Sequence, residues 1–174
     1  MHELILNEAH YERVIAGVIP EAQKFLWIAT ADIKDVHVKG AGKRYVPFLK
    51  VLSDLVASGV DVRLIHAKEP GPRFRRDFDK FPELVENERF ERILCPRMHM
   101  KLFIVDGRMA YIGSANLTGA GIGAKSPKRR NFEAGVLTDD RGMIRELMEE
   151  LDELYLGNHC IGCGRRDVCP DPIV

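Results

Sequence analysis

The sequence predicts an α/β domain in which helices cover both faces of a mixed β-sheet. Strand-like apolar segments alternate along the chain with segments whose apolar residues recur at helical spacing, a pattern typical of a layered domain with a covered sheet. The composition is that of one globular domain, with 45% hydrophobic and 30% charged residues among 174. We assign residues 1–156 to this domain and residues 157–174 to a cysteine-rich tail.

The predicted elements follow in chain order. A helix over 8–24 begins after Asn7 and is bent or divided at Pro20, because proline lacks the amide hydrogen that a helix interior needs. A helix over 45–59 ends at Gly59, a residue type that favours helix termination. Strands are predicted at 25–32, 60–67, 89–95 and 131–138, short helices within 68–88, a loop at 119–130, and a helix from about 139 to 156.

Charge and hydropathy argue against two classes of protein. The 26 basic and 26 acidic residues give a formal net charge of zero, unlike a strongly basic nucleic-acid-binding protein, so any phosphate-binding charge must be local. The opening MHELILNEAH lacks the pattern of a secretion signal, and no apolar run approaches the roughly 18 residues that span a bilayer. We therefore expect a soluble, cytoplasmic protein without a membrane span.

One segment, RMHMKLFIVDGRMAYIGSANLTG, carries an unusual set of polar groups in a mostly apolar run. Its Asp-Gly pair at 106–107, between two strand-like stretches, predicts a β-hairpin with a two-residue turn. The predicted pairs are Val105–Arg108, Phe103–Ala110, Lys101–Ile112 and His99–Ser114.

The hairpin gathers His99, Lys101 and Ser114 on one face near the end of the sheet, and Asn116 follows just past the strand. An imidazole, a fixed cation and two neutral hydrogen-bonding groups suit a phosphoryl centre, where positioned donors stabilise charge on the non-bridging oxygens. Asp106 is interpreted mainly as the turn residue.

The spacing His99-x-Lys101-x4-Asp106-x6-Gly113-Ser114-x-Asn116 resembles the complete HKD signature of the phospholipase D superfamily. The signature covers only about 20 residues. The order of strands and helices over residues 1–156 is also compatible with a single phospholipase D-like domain, so the resemblance extends over nearly the whole chain.

The resemblance implies a metal-independent phosphodiesterase that works through a covalent phosphohistidine, with a second histidine protonating the leaving oxygen. His99 is then the nucleophile or the general acid, Lys101 and Asn116 hold the phosphate oxygens, and Ser114 assists by hydrogen bonding. The family also places an acidic residue on a following strand to orient the histidine. Glu133 fits that role, and a solvent-facing strand glutamate is the alternative.

The sequence holds one such signature, although the chemistry requires two histidines. His37 and His66 are each followed by a lysine two residues later, but neither precedes an aspartate and a Gly-Ser-x-Asn at the required distances. We therefore expect a homodimer that brings two copies of the motif together across a twofold axis. The small dimeric endonuclease and the Zucchini-type nucleases of the superfamily are arranged in this way.

A nucleic-acid phosphodiester is the leading predicted substrate. A basic loop directly after the motif provides candidate phosphate-binding residues: Lys125, Lys128, Arg129 and Arg130. A second cluster, Arg73, Arg75 and Arg76, is equally well explained as a solvated surface. Strong sequence specificity is not expected, and DNA and RNA are not distinguished. Two alternatives remain: a phospholipase or phosphatidyl transferase, which needs an apolar acyl groove, and a nucleic-acid-binding module with little catalysis.

The tail contains Cys160-x2-Cys163-x5-Cys169, preceded by His159. Such spacing, in a chain whose cysteines we place in a reducing compartment, favours a structural metal site over disulfides. Zinc is the predicted metal, with His159 or Cys95 as the fourth ligand. An iron–sulfur cluster is the alternative, because the spacing resembles the last three cysteines of the cluster loop in the endonuclease III family. The catalytic chemistry itself is expected to need no cofactor.

Overall fold

The computed structural model describes residues 1–34, 36–39 and 44–173. The strands are β1 (His2–Leu6), β2 (Phe25–Thr30), β3 (His37–Lys39), β4 (Tyr45–Pro47), β5 (Asp61–His66), β6 (Phe90–Leu94), β7 (Leu102–Val105), β8 (Met109–Gly113) and β9 (Ala134–Thr138). The α-helices are α1 (Phe48–Ala57), α2 (Pro72–Phe78), α3 (Pro82–Val85) and α4 (Arg141–Tyr155). A π-helix (His10–Val18) and three short 3₁₀ turns (Ile19–Glu21, Asn158–Cys160 and Arg166–Val168) complete the described elements.

Seven strands form one mixed sheet in the order β1-β9-β8-β7-β2-β5-β6. β2, β5 and β6 run parallel, because helices on one face carry the chain back between them. β7, β8, β9 and β1 are antiparallel neighbours, and β7 also pairs antiparallel with β2. β3 and β4 form a separate two-stranded ribbon. The predicted α/β class with a mixed sheet is confirmed.

Two apolar cores lie on the two faces of the sheet. On one face the π-helix and α1 to α3 bury residues such as Ile15, Leu52 and Phe74. On the other face α4 packs Ile144 and Leu151 against the sheet. Each large side chain buried in this way contributes roughly 1.5–3 kcal/mol of favourable transfer free energy. The helices on both faces agree with the predicted covered sheet.

The observed boundaries differ from the predicted ones where backbone hydrogen bonds are redirected. The helix predicted at 8–24 is the π-helix followed by the 3₁₀ turn that contains Pro20. Residues 45–47 of the next predicted helix pair with β3 instead, and α1 begins directly after Pro47. Gly59 adopts a φ of 96° just past α1, as its predicted role in helix termination requires.

The hairpin around Asp106 has a different register from the predicted one. Asp106 and Gly107 both have positive φ, 53° and 64°, and the Arg108 N–H donates to the Val105 carbonyl at 3.0 Å. Strand pairing, however, begins with Val105 opposite Met109, so that Arg108 is an extra residue in the connection. The predicted pair of Lys101 with Ile112 was therefore wrong by one residue: Ile112 lies opposite Leu102.

Within residues 1–34, 36–39 and 44–173, no helix is both long enough and apolar enough to cross a bilayer.

Candidate phosphoryl-transfer site

His99 and Lys101 lie in the segment that leads into β7, at the edge of the sheet where β2 ends. The His99 ring is exposed, whereas Lys101 is only 9% exposed. The Lys101 ammonium donates to the His99 carbonyl at 2.7 Å and lies 3.2 and 3.3 Å from the two ring nitrogens. Burial lowers the pKa of Lys101, and the nearby Glu133 carboxylate opposes that shift. The predicted pair thus forms one compact basic unit.

Ser114 and Glu133 meet where β8 and β9 reach the same edge. The Ser114 hydroxyl donates to the Glu133 carboxylate and accepts the Ala134 N–H at 3.1 Å. The Asn131 side-chain amide donates to the other Glu133 oxygen at 3.0 Å. Within this chain Glu133 therefore holds Ser114 and Asn131, and its described contacts do not include the His99 ring that it was predicted to orient.

Asn116 is fixed through its side-chain oxygen. That oxygen accepts the Asp32 N–H at 3.1 Å and the Thr30 hydroxyl at 3.4 Å, both at the end of β2. Asn116 Nδ2 donates to no acceptor among the described residues. The amide nitrogen is thus a donor held in a fixed orientation, and its role in holding a phosphate oxygen stays a prediction.

The glycine of the Gly-Ser-x-Asn motif has a steric role. A Cβ on Gly113 would lie 2.1 Å from the Tyr111 hydroxyl oxygen, and one on its pairing partner Gly135 would lie 2.4 Å from the Tyr111 ring. Tyr111 is fully buried beneath both glycines. The two glycines therefore let β8 and β9 pass over this ring and deliver Ser114 to the sheet edge.

A layer of polar residues beneath Glu133 was not predicted from the sequence. Asn7 accepts the Glu133 N–H through its side-chain oxygen at 3.1 Å, and its own carbonyl lies 2.8 Å from His10 Nδ1. The buried His10 ring packs edge-on against Tyr111, with 5.3 Å between ring centroids. Burial lowers the pKa of His10 and raises that of Tyr111. No sequence signal indicated this layer, since residues 7 and 10 lie more than a hundred positions before Glu133.

Asp106 lies at the opposite end of β7 from His99, with the whole strand between them. Its carboxylate accepts the N–H groups of Gln23, Lys24 and Phe25 at 2.7–3.2 Å. Burial alone would raise its pKa, but these bonds and the nearby Arg108 lower it below its ordinary value. The structure does not bring Asp106 to the other motif residues, and its contacts are those of an anchor between the hairpin turn and the start of β2.

A basic groove of about 590 Å³ borders the Asn116 loop. It brings together three cations that are far apart in sequence, Lys34, Arg73 and Lys125, and His37 also lines it. Within the described part of the chain, no carboxylate lies within ion-pair distance of Lys34, Arg73 or Lys125. One residue from each predicted basic cluster therefore reaches the same groove. Lys34 and His37 were missed as binding candidates.

The remaining members of the two clusters are distributed differently. Lys128 and Arg129 are exposed on the same loop as Lys125 but do not line the groove. Arg130 pairs with Glu8 at 3.2 Å. Arg75 pairs with Glu69 and Asp79, as expected for a solvated surface residue.

The cysteine tail lies next to His99. Cys95, Cys160, Cys163 and Cys169 are free thiols that line one cavity of about 340 Å³ together with His159 and His99. Within the described residues, no three His, Cys, Asp or Glu side chains are close enough together to hold one metal ion. The predicted ligands thus line the same cavity, but the structure does not support a four-ligand zinc site built on His159, whose Nε2 lies 3.4 Å from Glu150.

Comparison with known proteins gives a family match. The family model described as "Cardiolipin synthase, PLD-like domain" matches residues 15–155. Cardiolipin synthase 2 of Bacillus cereus is 29% identical over 143 residues, which cover 79% of this chain and 24% of that protein. Cardiolipin synthase of a Geobacillus species is 29% identical over 147 residues, with 79% and 26% covered. The chain spans about a quarter of the length of these curated relatives.

Solved structures share the fold at low sequence identity. NucT from Helicobacter pylori aligns with a TM-score of 0.65 and 15% identity, over 89% of this chain and 95% of that one. The phospholipase D family member Nuc from Salmonella typhimurium gives 0.64 and 17%, over 89% and 93%. Phosphatidylserine synthase from Haemophilus influenzae gives 0.60 and 16%, over 88% and 38%.

Proposed function

Because this chain belongs to the PLD-like domain family of the phospholipase D superfamily, we propose that it is a metal-independent endonuclease that acts as a homodimer. The proposed substrate is a nucleic-acid phosphodiester. The observation that supports this substrate most strongly is the basic groove beside Asn116, in a protein whose formal net charge is zero. Local cations on a neutral protein are sufficient to bind a phosphate backbone.

The proposed reaction has two displacements at phosphorus. A ring nitrogen of His99 attacks, an N–P bond forms, the P–O bond to the leaving strand breaks, and the partner's His99 donates a proton to the leaving oxygen. Water then attacks the phosphohistidine while the partner's His99 accepts its proton, and the N–P bond breaks. Lys101 and Asn116 stabilise the non-bridging oxygens in both steps, because Lys101 presents its ammonium beside His99 and Asn116 presents a fixed amide donor at the end of β2.

A homodimer is proposed because one motif supplies one histidine. A suitable surface lies at the same end of the sheet: an apolar strip on β1, β9 and β8 that α4 does not cover. The strip consists of Leu4, Leu6, Ile112, Ala134 and Val136. Leu4 and Leu6 are 66% and 48% exposed, and Phe132, beside Glu133, is 97% exposed. Apolar residues so exposed at the edge of a half-site are consistent with a second copy of the chain packing there.

The dimer is tested by introducing a charge into the strip. Leu4→Glu should shift the sedimentation coefficient from that of a dimer to that of a monomer, because the new carboxylate would be buried in the interface. Val85→Glu is the control, since Val85 is 55% exposed on α3, away from the strip. A Leu4→Glu protein that remains dimeric would remove the strip from the proposal.

A phosphatidyl transferase is the second candidate, because the matched curated relatives are cardiolipin synthases. The cavity against His99 does contain apolar residues, among them Ile65, Met98 and Leu154. Its wall also carries the cations Arg97 and Arg165. The basic groove therefore favours the nuclease over the lipid enzyme.

The deciding experiment measures cleavage of labelled single- and double-stranded DNA and RNA in the presence of EDTA. Wild type should cut at least one of them, and His99→Asn should cut none. Arg73→Ala combined with Lys125→Ala should raise the KM for nucleic acid, whereas Arg145→Ala, an exposed cation on α4, should not. Transfer of phosphatidyl groups between phosphatidylglycerol molecules without any nucleic-acid cleavage would instead establish the second candidate.

A further inference from the structure

The cysteine-rich tail has almost no apolar core of its own. It consists of two 3₁₀ turns, and its large apolar residues Ile161 and Val168 are 84% and 71% exposed. It is nevertheless docked at defined points on the end of β6: Asp171 accepts the Leu94 N–H at 2.8 Å, and Arg165 donates to the Pro96 carbonyl at 3.1 Å. A short segment with so little apolar burial usually requires a cross-link or a metal to remain folded.

Four thiols converge where the tail is docked. Cys95 comes from the end of β6, whereas Cys160, Cys163 and Cys169 come from the tail, and all four are partly buried on the wall of the same cavity. A disulfide between any two of them is absent. The chain has four cysteines in all, so the fold brings every thiol to one place. That convergence is not expected of four unrelated buried thiols.

We propose that these four cysteines bind an iron–sulfur cluster. A single zinc ion lies about 2.3 Å from each ligand sulfur, so its four sulfurs would have to be in near contact around one point. The described side chains include no group close enough for that arrangement. All four cysteines instead line a cavity of about 340 Å³. A cluster of several iron and sulfide ions is held by four cysteine thiolates that stand farther apart than the ligands of a single ion, and the cavity has room for it.

The polar groups around the cavity suit the charge of such a centre. Four thiolates outweigh the positive charge of the cluster core, so cations and N–H donors near the sulfurs stabilise it. Arg97 Nη1 lies 3.9 Å from Cys163 Sγ, and the Arg165 N–H is 3.5 Å from the same sulfur. His159 lines the cavity but faces Glu150. Cys95 is therefore the fourth ligand, and it ties the tail to the sheet.

The proposed cluster lies close to the candidate phosphoryl-transfer site. Met98, His99 and Met100 also line the cavity. The cluster is therefore adjacent to the segment that leads through His99 and Lys101 into β7. It takes no part in the proposed phosphoryl transfer. Its role is structural: it fixes residues 95–101.

The first test uses the wild-type chain and requires no variant. Protein produced in iron-supplemented medium and purified without oxygen should contain iron and acid-labile sulfide in equal molar amounts, with visible absorption that dithionite bleaches. Zinc in stoichiometric amount without sulfide would overturn the cluster in favour of a single ion. Failure to take up iron and sulfide during anaerobic reconstitution would overturn the metal site altogether.

Variants then test the ligand set. Cys95→Ser should lose most of the iron and the visible absorption, as should Cys163→Ser, and circular dichroism should still show the α/β domain because the ligands lie at its edge. His159→Ala is the matched control and should keep both, since it lines the same cavity without being a ligand. Full iron content in Cys95→Ser would overturn the assignment of the fourth ligand. These measurements do not depend on nuclease activity.

Discussion

Two His-x-Lys pairs lie at the same end of the sheet, near the last residue of β2, and have opposite environments. His99 is exposed and has the Lys101 ammonium against its ring. His66, at the end of β5, is 0% exposed, and its Nδ1 lies 2.9 Å from the Lys68 carbonyl. Arg92 donates to the other ring nitrogen at 2.8 Å. Lys68 points into solvent rather than towards the ring.

The difference shows why a His-x-Lys spacing alone does not make a nucleophile. Burial, together with the neighbouring Arg92, lowers the pKa of His66 to about 4, so the ring is neutral at pH 7. One nitrogen donates and the other accepts, which leaves no lone pair for attack on phosphorus. His66 therefore holds the end of β5 to its neighbour, and the sequence interpretation of this pair as the polar end of a strand agrees with its position.

The largest expected effect is on catalysis at His99. His99→Asn should reduce cleavage by about 10⁴-fold or more, as loss of a covalent nucleophile does, while the melting temperature stays unchanged because the ring is exposed. The two values come from single-turnover kinetics and thermal denaturation. Retention of more than a tenth of the activity would place the nucleophile elsewhere.

The second-largest expected effect is on kcat, and it should distinguish Lys101 from Lys68. Lys101→Ala should lower kcat by about 10²–10³-fold, because it removes a buried donor to the transition-state oxygens. Lys68→Ala, the matched control, should change kcat less than about twofold, since an exposed residue away from the phosphate contributes little. Equal losses in the two variants would contradict the assignment of Lys101.

The third-largest expected effect is a loss of stability when His66 is replaced. His66→Ala should lower the free energy of unfolding by about 2–4 kcal/mol, because Arg92 and the Lys68 carbonyl lose their buried partner. Activity per folded molecule should fall far less than in His99→Asn. Urea denaturation followed by circular dichroism gives the stability. A fully stable variant with no cleavage would reverse the roles of the two histidines.

The smallest expected effect is the pH dependence of stability. His66 has a folded pKa of about 4, below its unfolded value of about 6.5. Its contribution is therefore fully present above pH 6.5 and is lost as the pH falls towards 4, because the unfolded state takes up the proton first. The slope from this group should approach roughly 1.4 kcal/mol per pH unit. Denaturation series between pH 7 and 5 should show a shallower slope in His66→Ala than in wild type; identical slopes would remove His66 as the cause.

Within the candidate site, local features were predictable and distant contacts were not. The turn at 106–107 follows from the Asp-Gly pair, whose backbone preferences are local. The register was missed because one extra residue, Arg108, is accommodated by the twist of the sheet. The contact between Ser114 and Glu133 depends on β8 pairing with β9. The layer of Asn7 and His10 beneath it depends on β1 pairing with β9, more than a hundred residues away in the chain.

By itself, the sequence determined the family, the mixed α/β class and the residues of one HKD motif, because these depend on spacing along the chain and on hydrophobic periodicity. Tertiary structure alone decided which groups face each other. The packing buries His66, places Arg73 and Lys125 on the wall of one groove, and places Cys95 on the wall of the same cavity as the tail cysteines. The physical reason is that burial and long-range convergence depend on how the sheet and its helices pack, and no local pattern specifies that packing.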